Sequence, residues 1–73
     1  MHTLSFNGSR LRELRTAAGL SAEVLAAQAH CHPDTVYRAE LGQFVPRGNH
    51  LAGLASALGV DIGEFFTTSV GVL

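Results

Sequence analysis

SAEVLAAQAHCHPDTVYRAELG, residues 21–42, reads as two short helices joined by a sharp turn, and its reading decides how the remaining residues are arranged. Ser21 is placed to cap the first helix, its hydroxyl accepting from an amide that the helix leaves unpaired, and Glu23 lies in the positive first turn. Val24, Leu25 and Ala29 follow at helical spacing as an apolar face, and His30 and His32 flank the turn. Pro33 suits the first position of the second helix, where a missing N–H costs nothing. Val36 and Ala39, with Glu40 beside them, continue that helix inward and leave Asp34, Thr35, Tyr37 and Arg38 outside. Gly42 supplies the stop.

Upstream, Leu4 and Phe6 alternate with Thr3 and Ser5, the pattern of a short strand or of an unstructured tail. Asn7 can cap a helix running to about Ala18, with Phe6 and Leu11 at the spacing of a hydrophobic staple. Leu11, Leu14 and Ala18 form its inner stripe, Arg10, Glu13 and Thr16 face outward, and Gly19 ends it. Leu20 then packs beneath the turn.

Downstream, QFVPRG (residues 43–48) is a loop by its Pro and Gly content, and Phe44 and Val45 make it unusually apolar. Leu51, Leu54, Ala55 and Leu58 recur at helical spacing, with Asn49 as cap and Gly59 as terminator. Asp61 and Glu64 have capping-box spacing and introduce a brief fifth helix ending near Phe66. In the tail, residues 67–73, Val70 and Val72 alternate with Ser69 and Gly71. That pattern pairs as a strand either with the N-terminal segment or with another subunit.

The 73 residues carry no internal repeat or linker and make one domain, 1–73, which buries only about 60% of its unfolded surface. A composition of 47% apolar and 15% charged residues is that of a folded domain rather than a disordered tail. No apolar run approaches the ~20 residues of a membrane span and no signal peptide opens the chain, so a cytoplasmic, nucleoid-associated location is expected. The single Cys31 reads as a small buried hydrophobe. His30, Cys31 and His32 are adjacent, but neighbours in a turn point in diverging directions, so neither a metal nor another cofactor is expected. No phosphate-cradling Gly loop and no nucleophile–base spacing is present, which argues against an enzyme.

Five Arg, no Lys and six acids give a net charge of −1, without the basic excess typical of a nucleic-acid binder. Distribution matters more than the sum, and Arg10, Arg12 and Arg15 fall together in the first helix.

LRELR (11–15), GLS (19–21), Leu25-Ala26, RAELG (38–42), Pro46 and the run from Leu51 through LASALGV (54–60) resemble, in order and spacing, the phage repressor and Cro type of helix-turn-helix domain, over about residues 8–66 with the motif itself at 21–42. The resemblance implies an all-α, five-helix repressor-like bundle with short extended N- and C-terminal segments. Its third helix, Pro33 to Leu41, would enter the major groove of double-stranded DNA. It also implies a salt bridge between Arg15 and Glu40. Base-reading positions would be His32, Asp34, Thr35 and Arg38, with Tyr37 and Gln43 nearer the phosphates. Arg38 suits guanine O6 and N7, whereas Asp34 can only accept, from cytosine N4.

Three departures from the family pattern stand out. Ala22 replaces a phosphate-contacting Gln, His30 replaces a turn Gly, and Ala39 replaces a bulky core residue. Leu41, Phe44 and Val45 stand where polar residues are usual, and with Val70 and Val72 they suggest a dimer or partner surface. The expected protein is a homodimeric transcriptional repressor. The alternative is a helix-turn-helix scaffold used to bind another protein, as an antitoxin-like or inhibitor module.

Overall fold

The computed structural model describes the backbone of residues 2–70 and the side chains of residues 4–67. In chain order these form β1 (His2–Phe6), α1 (Gly8–Ala17), α2 (Ala22–Gln28), α3 (Pro33–Glu40), α4 (Gly48–Leu58), a 3-10 turn (Ile62–Phe65) and β2 (Phe66–Val70).

Local chemistry sets the helix boundaries. Asn7 Oδ1 accepts from the Arg10 amide at 3.0 Å and Ser21 Oγ from the Val24 amide at 3.1 Å, each satisfying a donor that the helix start leaves unpaired. Four helices end in the same six-residue motif, in which the last amide reaches back to a carbonyl five residues earlier: Leu20 to Arg15, Cys31 to Ala26, Gln43 to Arg38 and Val60 to Ala55. The motif needs a left-handed residue. Gly19, Gly42 and Gly59 supply it at φ 73°, 74° and 68°, but after α2 the position is His30, at φ 58°. A non-Gly residue there carries strain in the turn between α2 and α3.

The core is one cluster: Leu11 of α1, Ala22, Leu25 and Ala26 of α2, Val36 and Ala39 of α3, Leu51, Leu54 and Ala55 of α4, and Phe65, with Ala29 at the turn. Small residues let the helices approach closely. A Cβ on Gly8 would lie 2.2 Å from the Ala39 carbonyl oxygen and one on Gly53 would lie 2.7 Å from that of Ala29, so α1 meets α3, and α4 meets the end of α2, at backbone distance. This accounts for glycine at position 8; Ala39, where a bulky residue was expected, is itself fully buried. With Gly8 pressed on the carbonyls of Ala39 and Glu40, little room remains between these helices.

The five-helix, all-α expectation is corrected. The described residues form four α-helices and a two-stranded antiparallel sheet, and residues 62–65 make a single 3-10 turn. Neither half of the expected capping box acts as one: Asp61 makes no side-chain cap, and Glu64 is drawn to Arg10 at 2.7 Å. Phe65 then plunges into the core, its carbonyl accepts from the Asn7 amide at 2.6 Å, and the aromatic and β-branched run from Phe66 continues as a strand. β1 and β2 pair from His2 with Val70 to Phe6 with Phe66, so the two ends of the chain join each other. Phe6 packs edge-on against Phe66 with ring centroids 5.7 Å apart, and sits 6.3 Å from Phe65. At α4 the N-cap is Arg47, without a side-chain bond, and the expected cap Asn49 lies inside the first turn.

Candidate nucleic-acid interface

Val36 and Ala39 are fully buried against α2 and α1, which fixes the rotation of α3 and turns Asp34, Tyr37 and Arg38 outward at positions i, i+3 and i+4. Thr35 is half-buried beside them. His32 is exposed immediately before the helix and serves as its N-cap, its Nδ1 accepting from the Asp34 amide at 3.1 Å. Gln43 is exposed beyond the Gly42 turn, apart from the helix face.

Three ion pairs engage two of the three α1 arginines. Arg15 Nε donates to Glu40 at 2.5 Å, its second nitrogen to the other carboxylate oxygen at 3.0 Å and its third to the Leu20 carbonyl at 2.9 Å. The two side chains are only 14% and 7% exposed, so the pair ties α1 to α3 in a protected setting. Arg10 bonds Glu64 and Glu13. The arginine cluster of α1 is therefore largely neutralised. Among the described residues Arg12, Arg38 and Arg47 are the arginines without a carboxylate partner, and all three are exposed.

Tyr37 does not simply point to solvent. Its hydroxyl donates to the Glu23 carboxylate, joining the middle of α3 to the first turn of α2. The bond holds the Glu23 carboxyl below its ordinary value of 4.5 and pushes the Tyr37 hydroxyl above its ordinary 10.0. The lowered acid contributes above its ordinary value and is lost as pH falls through the lowered one; the raised phenol contributes below 10.0 and is lost as pH rises past it. Ultraviolet titration of this single tyrosine should give a midpoint above 10.0, returning toward 10.0 in Glu23→Gln. A midpoint unchanged by that substitution would count against the bond.

Arg12, Arg15, Tyr37, Glu40 and Leu41 line a cleft of about 210 Å³ between α1 and the end of α3. Leu41, Phe44 and Val45 are 72%, 41% and 55% exposed. Val70 is the last residue of β2, and Val72 lies outside the described residues. Cys31 is half-buried and burial raises its thiol pKa. No group of three His, Cys, Asp or Glu gathers at metal-binding distance among the described residues, and no helix is long and apolar enough to cross a membrane.

The capping role of His32 and the Tyr37–Glu23 bond were missed in the sequence. A polar residue directly before Pro33 was the available signal for the cap. The bond spans 14 residues, and local spacing does not report it.

Residues 8–65 match the family described as "Helix-turn-helix domain". Among solved structures the chain is similar to the restriction-modification controller protein C.AhdI from Aeromonas hydrophila, at 42% identity and a TM-score of 0.76 over 81% of this chain and 89% of that one. No curated protein matches significantly. A family match over most of the chain, joined to the α2–turn–α3 geometry, places this protein in the helix-turn-helix domain family.

Proposed function

We propose that the chain is a DNA-binding transcription regulator of the phage repressor type that acts as a homodimeric repressor, with α3 in the major groove of a short palindromic site. The observation that carries this reading is Arg38: exposed on the outer face of α3, without a carboxylate partner among the described residues, on a helix whose rotation is fixed by Val36 and Ala39. His32, Asp34 and Thr35 share the base-reading role, while Tyr37 and Gln43 lie toward the phosphates. Similarity to a restriction-modification controller supports a regulatory role and makes genes of that class the first place to seek the operator.

Three arginines per copy without a carboxylate partner among the described residues make few phosphate contacts, and each contributes only about 0.9 to the salt slope, so one copy binds weakly and two bind usefully. Symmetric association through Phe44, Val45 and the paired ends sets two recognition helices about 34 Å apart on one DNA face.

Arg38→Ala should lose about 1–3 kcal/mol of operator affinity and relax preference at one base position. A mobility-shift titration at two salt concentrations measures this, and equal discrimination between specific and scrambled DNA in both proteins would defeat it. The exposed Leu41, Phe44 and Val45 favour a second reading, capture of another protein. That reading takes over if no genomic fragment binds above the background of scrambled DNA.

A further inference from the structure

The ribbon of β1 and β2 is the part of this chain that lies outside the family match at residues 8–65. It is held at its base by Phe6, Phe65 and Phe66, and the molecule measures 42 Å along its long axis against 20 and 19 Å across. A two-stranded ribbon of this size is marginal in water unless a further strand or a helix covers it.

Its backbone register shows which groups have no partner among the described residues. Asn7 donates to the Phe65 carbonyl, so by the antiparallel alternation Ser5 with Thr67 and Thr3 with Ser69 turn their N–H and C=O groups toward each other. His2, Leu4 and Phe6 therefore turn theirs out along one edge, and Phe66, Thr68 and Val70 along the other. Folded chains guard such edges with charge, proline or bulges, but neither HTLSF nor FTTSV contains Lys, Arg, Asp, Glu or Pro.

We propose that two copies of this chain pair β1 to β1 across a twofold axis at Leu4, joining their ribbons into one four-stranded antiparallel sheet. The twofold makes the second strand antiparallel by symmetry. His2 of one copy meets Phe6 of the other, Leu4 meets Leu4, and every outward N–H and C=O along β1 finds a partner. Leu4, 67% exposed, shares a sheet face with Phe6, so pairing extends the apolar face already begun by Phe6 and Phe66. DNA does not fit this edge, because the strand carries no lysine or arginine for a phosphate.

The area decides how strong the contact is. The edge and Leu4 alone bury several hundred Å², short of the roughly 1,000 Å² that a specific interface needs. Near the ribbon base, Gly8 abuts the Ala39 and Glu40 carbonyls, and the exposed apolar residues Leu41, Phe44 and Val45 follow these in the chain. On this proposal the strand pairing sets the register and these side chains are the apolar surface available to supply further buried area. The proposal rests on the homodimer in the reading above and not on DNA recognition.

Sedimentation velocity from micromolar to millimolar protein, without DNA, tests it on the full chain with Leu4→Lys and Ser5→Lys. Leu4→Lys sets two ammonium groups side by side at the twofold and should weaken association roughly tenfold or more, whereas Ser5→Lys, on the opposite ribbon face, should leave it nearly unchanged. In the wild type, hydrogen exchange at the Leu4 and Phe6 amides should slow as concentration rises, while that at Ser5, already turned toward β2, should not change. A wild type that stays monomeric, association insensitive to Leu4→Lys, or Leu4 exchange independent of concentration would each overturn the proposal. The Arg38 titration on a single half-site reports DNA recognition separately, so either idea can fail alone.

Discussion

Arg15→Ala is expected to destabilise the fold by about 3 kcal/mol, because it strands the Glu40 carboxylate at a site where its side chain is only 7% exposed. An exposed pair would cost at most about 1 kcal/mol, but this one is bidentate and its arginine also caps the Leu20 carbonyl. The consequence is large for a chain of this size, whose total stability is on the order of 4–11 kcal/mol. Urea denaturation of Arg15→Ala, Glu40→Ala and the double variant should show strong coupling. The paired apolar replacement Arg15→Met with Glu40→Leu should recover most of the loss, since it removes both charges together. Stability of Arg15→Ala within about 0.5 kcal/mol of wild type would mean that water, not protein, solvates the carboxylate.

Gly8→Ala should be comparably damaging, against ordinary helix propensity. Alanine is the better helix former by about 1 kcal/mol, yet its Cβ would stand 2.2 Å from the Ala39 carbonyl oxygen and 2.7 Å from that of Glu40. Both obstacles are backbone, so α1 must separate from α3, at a cost of about 3 kcal/mol. Gly48→Ala is the matched comparison: it also opens a helix, has nothing within 4 Å, and should be neutral or stabilising by about 0.4–1 kcal/mol. Thermal melts should fall clearly for Gly8→Ala and hold or rise for Gly48→Ala. Equal shifts would show that the close approach is not tight.

These cases show where the sequence was readable. Asn7, Ser21, Pro33 and the glycines at 19, 42 and 59 act through neighbours within five residues, so the helix boundaries they set were legible. Residues 61–66 were misread because their outcome depends on distant partners. Glu64 had a local role on paper and a better partner in Arg10, and the strand after it needs an edge 60 residues away. The same limit hid the reason for Gly8, which faces the backbone carbonyls of Ala39 and Glu40 on another helix. Of the candidate interface, the outward face of α3 followed from helical period alone. The tie between Tyr37 and Glu23, which engages one of its hydroxyls, did not.

The cap on α3 also has a chemical consequence for what that helix end can recognise. A neutral imidazole holds one hydrogen on its two nitrogens, and His32 spends the lone pair of Nδ1 on the Asp34 amide. Its hydrogen therefore resides on Nε2, so a single tautomer is selected at the exposed head of the helix. In that tautomer the ring is a donor toward solvent and never an acceptor. Within a major groove it complements the O6 and N7 atoms of guanine, the N7 of adenine or the O4 of thymine, and it has nothing to offer the amino groups of cytosine or adenine. On the proposed reading, in which α3 enters the major groove, the hydrogen bond that starts the helix thereby restricts the groove edges His32 would read.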